Sequence, residues 1–262
     1  MLFFIGQVFP YLAVGVFIVG MIWRVGKWLR VPVPFQLTLS PAPVTTSGRI
    51  GKVCGELLLF PSLWCGDRGL WLWAWLMHVS LAMVIGGHIV GISSIGLQFM
   101  DIGFTAGQSL ALSALMGTSS GVVMLVAIII LLYRRTAVPE IKRLSDPADY
   151  FDLLLILAIV VSGLHMRMTS LNVDLMAIRA YLGGIISFHP IPIPKEWIFV
   201  SHFFLVNVLL IYIPFSKLVH FAGSIVNQSM LVAPAPVYPS PIKTNSANVS
   251  AKVRLWEGGN SQ

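Results

Sequence analysis

Hydrophobic positions along this chain gather into five long runs, broken by short polar stretches that hold nearly all the charge. The runs cover about Phe3 to Trp23, Leu70 to Ile92, Leu110 to Tyr133, Phe151 to Met168 and Trp197 to Val219. About twenty apolar residues in helical form reach about 30 Å, the thickness of a bilayer's hydrocarbon core. The pattern therefore predicts an all-α integral membrane protein, a bundle of five transmembrane helices. The first run has no basic residues ahead of it but is followed at once by Arg24, Lys27 and Arg30. A cleavable signal peptide has the opposite polarity, so this run reads as a retained span, kinked at Pro10.

Composition agrees: 56% of the 262 residues are hydrophobic and 10% are charged, whereas about a quarter are charged in soluble domains. The mean hydropathy is +0.85. The net charge of +7 would suggest nucleic acid if the cations lay on one soluble face. They alternate between loops instead, fourteen on one side of the five spans against Arg167, Arg179 and Lys195 on the other. The positive-inside rule then places the N-terminus outside and the C-terminus on the cytoplasmic side of the membrane.

The inside face is expected to consist of the 24–69 loop, the 134–149 loop and a Pro-rich tail over 222–262, attached to a membrane domain over 1–221. Within the first loop, the patch Leu57 to Leu63 is too short to span and suits an interfacial helix or a docking element. From Leu231 (LVAPAPVYPSPIK) the tail cannot build a core of its own. Trp71, Trp73 and Trp75 suit an interfacial belt. Gly117 and Gly121 form a small-xxx-small pair for close helix packing. Cys54 and Cys65 form no CxxC or CxxCH motif, which excludes covalent c-type haem and leaves two reduced thiols.

Four histidines change the picture: His78 and His88 in the second run, His202 and His220 in the fifth. Taken singly, a histidine at a membrane boundary reads as a satisfied interfacial residue, but imidazole within a span is a functional candidate. At about 100° per residue, the eighteen-residue step from His202 to His220 returns to the same helix face, and the ten-residue step from His78 to His88 comes within about 80° of it. The two spans run in opposite directions, so His78 faces His220 and His88 faces His202. The rises, about 15 Å and 27 Å, differ, and a kink at Pro214 is expected to absorb the difference. Paired neutral imidazoles without carboxylate or thiolate company suit the axial positions of haem iron better than zinc, which takes three or four protein ligands. Two bis-histidine b-type haems are the specific reading. Gly86, Gly87 and Gly91 would let a flat macrocycle approach, or equally let helices pack.

The stretches MHVSLAMVIGGHIVGI, GTSSGVVMLVAIIILLYRR and SHFFLVNVLLIYIPFSKLVHF, with their H-x9-H and H-x17-H spacings, resemble the membrane cytochrome b subunits typified by the gamma subunit of respiratory nitrate reductase. The resemblance runs from about Phe3 to Phe221. It implies two stacked b haems, His78 and His220 on the inner and His88 and His202 on the outer, carrying electrons between a quinol or menaquinol site near the outer haem and an iron-sulfur partner inside. The long loop before the second run, the Pro-rich tail and the lead-in FPSLWCGDRGLWLWAWLMH look more like the M subunit of the sulfite-reduction-linked (Dsr) membrane complex, whose iron-sulfur partner resembles a heterodisulfide reductase subunit. Where the nitrate reductase version carries a quinol-pocket lysine, this chain has Gln108.

Residues at the outer face that fit a quinone site are Gly87, His88, Asp101, Gln108 and His165, with Gln98 and His189 beside them. Arg134, Arg135 and Arg167 fit haem propionates or serve simply as topology signals. A nitrate reductase gamma subunit, the cytochrome b of a hydrogenase or formate dehydrogenase, and a haem-free transporter or scaffold are the alternatives.

Overall fold

A computed structural model describes residues 1–30, 43, 45–92, 94–169 and 174–232; among these there is no β-strand. Five helices are long and apolar enough to cross a membrane: Phe4–Arg30, Arg68–Val90, Ala106–Ala137, Pro147–Met168 and Trp197–Phe215. The protein is a multi-pass membrane protein. The first consists of a π-helical turn, Phe4–Val8, running into α1 (Phe9–Arg30). The others are α4 (Arg68–Val90), α5 (Ala106–Ala137), α7 (Pro147–Met168) and α9 (Trp197–Tyr212).

Several helices overrun the hydrophobic runs because their ends are well satisfied. Arg30, and Arg134 with Arg135, lie in the last turns of α1 and α5, where cations complement the helix dipole. Asp67 and Asp146 cap α4 and α7 by accepting from Leu70 N–H and Asp149 N–H.

Much of what the hydrophobic pattern leaves as loop is helical. The 24–69 stretch holds the end of α1, then α2 (Thr46–Leu59) and α3 (Pro61–Gly66). The 134–149 stretch holds the end of α5 and α6 (Pro139–Leu144). Between α7 and α9 lies α8 (Leu175–Ile186). The tail boundary expected at 222 falls inside α10 (His220–Leu231), so His220 opens a new helix and does not end the fifth span. The Pro-rich segment after Val232 lies outside the described residues.

Two prolines shape the frame. Pro10 has no N–H to give to the carbonyl of Gly6, and the chain forms its π-helical turn just there. The freed Gly6 carbonyl accepts a 2.6 Å hydrogen bond from the Tyr181 hydroxyl of α8, which ties α8 into the membrane core. Pro214 ends α9, and the chain continues through two 3-10 turns, Ile213–Phe215 and Lys217–Val219. The break seats on α1, where a Cβ added to Gly20 would lie 2.7 Å from Pro214; only glycine leaves room for it there.

The spanning helices pack in the order α4, α5, α7, α9, α1. Met124 and Ile128 of α5 with Val160 and Leu164 of α7 make one buried cluster. Ile178 and Tyr181 of α8 with Ile193 and Phe199 make another. The expected small-residue contact is present: a Cβ on Gly121 would collide with Leu164, and one on Gly117 with the Arg167 guanidinium. These glycines set the depth at which α5 and α7 meet.

Candidate functional site

At one end of the bundle the imidazoles of His78 and His220 lie with ring centroids 5.8 Å apart and planes at 85°. At the other, His88 and His202 lie 6.4 Å apart at 28°. The histidines thus meet in the two pairs that antiparallel spans require, and the Pro214 break supplies the register change between them.

Hydrogen bonding fixes which nitrogen each ring presents. Nδ1 lies 2.7 Å from the Ala74 carbonyl in His78, 2.6 Å from that of Val84 in His88, 3.1 Å from that of Lys217 in His220 and 3.1 Å from that of Ile159 in His202. A carbonyl oxygen only accepts, so each Nδ1 carries the proton and each neutral ring keeps a bare Nε2 lone pair. That is how metal-ligating histidines are held, by the N–H they do not use for the metal. An imidazole–metal bond is about 2.0–2.1 Å, and a ring centroid sits about 1.1 Å behind its nitrogen. Two imidazoles on opposite sides of one metal ion therefore hold their centroids about 6 Å apart, close to both separations found here. Among the described residues no three His, Cys, Asp or Glu gather into a metal site, so the donors come in twos. Beside the ligands, a Cβ added to Gly86 or Gly87 meets nothing within 4 Å, leaving the α4 face open to a flat group. The donor set and this open face fit two bis-histidine haems.

His78 is covered by protein on the side of α2 and α3. Phe60, at the corner between α2 and α3, sets its ring edge-on to His78 at 5.2 Å. It does so in the left-handed region, φ 51°, which costs a bulky residue backbone strain. The corner is clamped: the indole N–H groups of Trp71 and Trp75 donate to the carbonyls of Leu59 and Leu58 at 2.7 and 2.9 Å. These tryptophans therefore act as donors to the α2 terminus, beyond any service as an interfacial belt. Cys54 and Cys65 are free and exposed.

The cations near this end are engaged. Arg134 pairs with Asp67, Arg135 with Asp149 at 3.1 Å, and Lys217 bridges Asp146 and Asp149 at 2.6 and 2.8 Å. The Leu70 N–H and Arg134 hold the Asp67 carboxyl below the usual range. Lys217 does the same to Asp146 and is itself raised by the two carboxylates. Arg134 and Arg135 thus spend their charge on neighbouring acids.

At the other end the expected quinone residues are dispersed in role. Gln108 closes a capping box with Thr105, its side-chain oxygen accepting from both the backbone N–H and the hydroxyl of that residue at 3.0 Å. Asp101 sits exposed in a 3-10 turn. His165 lies against Trp197 at 5.7 Å, and His189 bonds the Ser187 carbonyl. Gln98 donates to Ser113 at 3.1 Å and folds over Gly91, whose added Cβ would touch it at 3.4 Å. The hydrophobic pattern gave no notice of Ser162, hydrogen-bonded to His202 at 2.9 Å, of Phe60, or of Asp152, buried within α7 at 7% exposure. An acid or a serine inside a run such as FDLLLILAIVVSG is the signal that marks Asp152 and Ser162.

Comparison with known proteins adds a direct line. Residues 62–238 match the family model described as nitrate reductase gamma subunit. The chain is 29% identical to the Hdr-like menaquinol oxidoreductase cytochrome b-like subunit of Archaeoglobus fulgidus, over 83% of this chain and 76% of the relative. Its counterpart in Archaeoglobus profundus is 28% identical, over 82% and 74%. The nitrate reductase gamma chain of Bacillus subtilis is 29% identical, over 55% and 68%.

Proposed function

The chain belongs to the nitrate reductase gamma-subunit family, and from that premise we propose that it is a dihaem cytochrome b which connects a menaquinol pool to an iron-sulfur partner on the opposite face. That it is a membrane electron-transfer subunit of an oxidoreductase complex follows from the family and its relatives. The finer reading is carried by one observation: two imidazole pairs, with ring centroids 5.8 and 6.4 Å apart, close to the separation of two imidazoles that share one metal ion.

In this reading His88 and His202 hold one haem, His78 and His220 the other, through Nε2. When bound, the haems supply one-electron carriers at two depths of the membrane. The protein's own contribution is positional. Backbone carbonyls fix the tautomer of all four rings, and the chain of contacts from α4 through α5 and α7 to α9 holds the two histidine-bearing helices in place. The cation distribution supports an inside position for the His78/His220 end, next to α2, α3, α6 and α10, where the iron-sulfur partner docks. Quinol oxidation at the His88/His202 end releases protons outward, past the exposed Asp101 and His165. Moving one charge across the membrane is worth about 2.3 kcal/mol per 100 mV, so the potential gap between quinol and partner sets the direction.

The longer match to the Hdr-like menaquinol oxidoreductase subunits supports a partner of the heterodisulfide-reductase type over a nitrate reductase catalytic subunit. The deciding experiment adds a soluble menaquinol analogue to the purified, haem-loaded chain in detergent. Rapid growth of reduced b-type absorption is expected. Haem that dithionite reduces and the quinol never does would refute the quinol connection.

A further inference from the structure

The four histidines are not held alike. His78, His88 and His220 satisfy Nδ1 within their own stretch of chain, on carbonyls three or four residues earlier. His202 alone is held from another helix. Its Nδ1 lies 2.9 Å from the hydroxyl oxygen of Ser162 and 3.1 Å from the carbonyl of Ile159, both on α7. Ser162 is 7% exposed, and its hydroxyl donates back to that same Ile159 carbonyl at 2.9 Å, as buried helical serines do. With its proton so committed, Oγ turns an acceptor lone pair to the His202 N–H. Next to it, Gly163 sits against the ring edge: a Cβ there would lie 3.2 Å from His202 Cε1 and 3.6 Å from Nδ1. A hydroxyl followed by a glycine is what lets α7 come close enough to grip the ring.

We infer that Ser162 is a positioning residue for the His88/His202 centre, setting the ring plane of His202 and the donor strength of its Nε2 from the neighbouring helix. An acceptor on Nδ1–H raises the basicity of the ligating nitrogen. A more basic ligand favours the oxidised, more positively charged iron, so this bond holds the potential of that centre down. The other three rings take the same help from their own stretch of chain and move with it. The His202 bond depends instead on how α7 lies against α9, a contact set in part by the Gly121–Leu164 packing on the far side of α7.

The inference rests on the haem reading above, and the test separates the two. Redox titration and low-temperature electron paramagnetic resonance are run on the full chain and on Ser162→Ala, Ser162→Thr and His202→Ala, with the component lost in His88→Ala marking the relevant haem. Ser162→Ala is expected to move that component to a more positive potential and change its resonance while leaving the His78/His220 component in place. Ser162→Thr, which keeps the hydroxyl, is expected to restore both readouts. Loss of that one haem in Ser162→Ala with recovery in Ser162→Thr supports the same role. Unchanged potentials and spectra in Ser162→Ala, or an effect that Ser162→Thr does not reverse, overturn it. Two full haems in His202→Ala would sink the haem reading itself, and with it this inference.

Discussion

The two histidine pairs solve one chemical problem with different surroundings. In the His78/His220 pair, whose rings are nearly perpendicular, His220 follows the break at Pro214 beside a network of ion pairs, and His78 lies under a strained corner of α2 and α3 pinned by two tryptophans. The His88/His202 pair lies within uninterrupted helix, its rings nearly parallel, one of them gripped by the adjacent helix and the other next to glycines with open space. At one end Phe60 and the α2–α3 corner lie over His78. At the other, Gly86 and Gly87 border open space beside His88. The contrast supports the proposal that one end meets a soluble protein and the other a membrane-dissolved quinol.

The sharpest break of this comparison is by pairs. His88→Ala and His202→Ala should each remove one and the same haem completely, and His78→Ala and His220→Ala the other, read as haem content and reduced-minus-oxidised spectra. If His78→Ala and His88→Ala removed a common centre, the cross-helix pairing would be wrong. Next in size, Gly163→Leu should drive a side chain into the His202 ring and sharply lower occupancy of that haem while leaving its neighbour near full content, measured by the same spectra.

At the covered end smaller effects are expected. Trp75→Phe removes the donor to Leu58 and should cost about 1 kcal/mol of stability, seen as a lower melting temperature in detergent, with a spectral shift confined to the His78/His220 haem. Acid acts on this end by a smaller margin. Asp67 and Asp146 titrate below their unfolded value of about 3.9, so their contribution is complete above that pH and is lost as pH falls through the lower folded values. Melting temperature should be flat from pH 7 to about 5 in this respect and decline below about 4. The double variant Asp67→Asn, Asp146→Asn should flatten that decline; an equally steep decline would remove these carboxylates from the explanation.

The spans and the histidine pairing were legible in the sequence because both depend on short-range rules, about twenty apolar residues per crossing and about 100° per residue. Short helices such as α2, α6 and α8 were not, since none is long enough to stand out from a loop, and α8 owes its place to the carbonyl that Pro10 frees for Tyr181. Gln108 illustrates a local rule passed over: Thr105 and Gln108 have the spacing of a capping box, and the structure uses them as one, which gives that glutamine a structural duty at the position where a quinone residue was expected. Ser162 lay beyond reach for another reason. Its partner is forty residues away on another helix, and the depth at which α7 meets its neighbours is set by packing such as Gly121 against Leu164, a register no single run of residues encodes. Phe60 in a left-handed turn is likewise a choice imposed by the clamp of Trp71 and Trp75, at a place where local preference would put glycine.

The central claim is that each imidazole pair holds one iron porphyrin. The most direct measurement is the haem-to-protein ratio of the purified chain, by pyridine haemochrome assay against quantitative amino-acid analysis. The account predicts two b-type haems per polypeptide, falling to one in each single histidine variant. A ratio of one in the unaltered chain, or no haem after reconstitution, would contradict it.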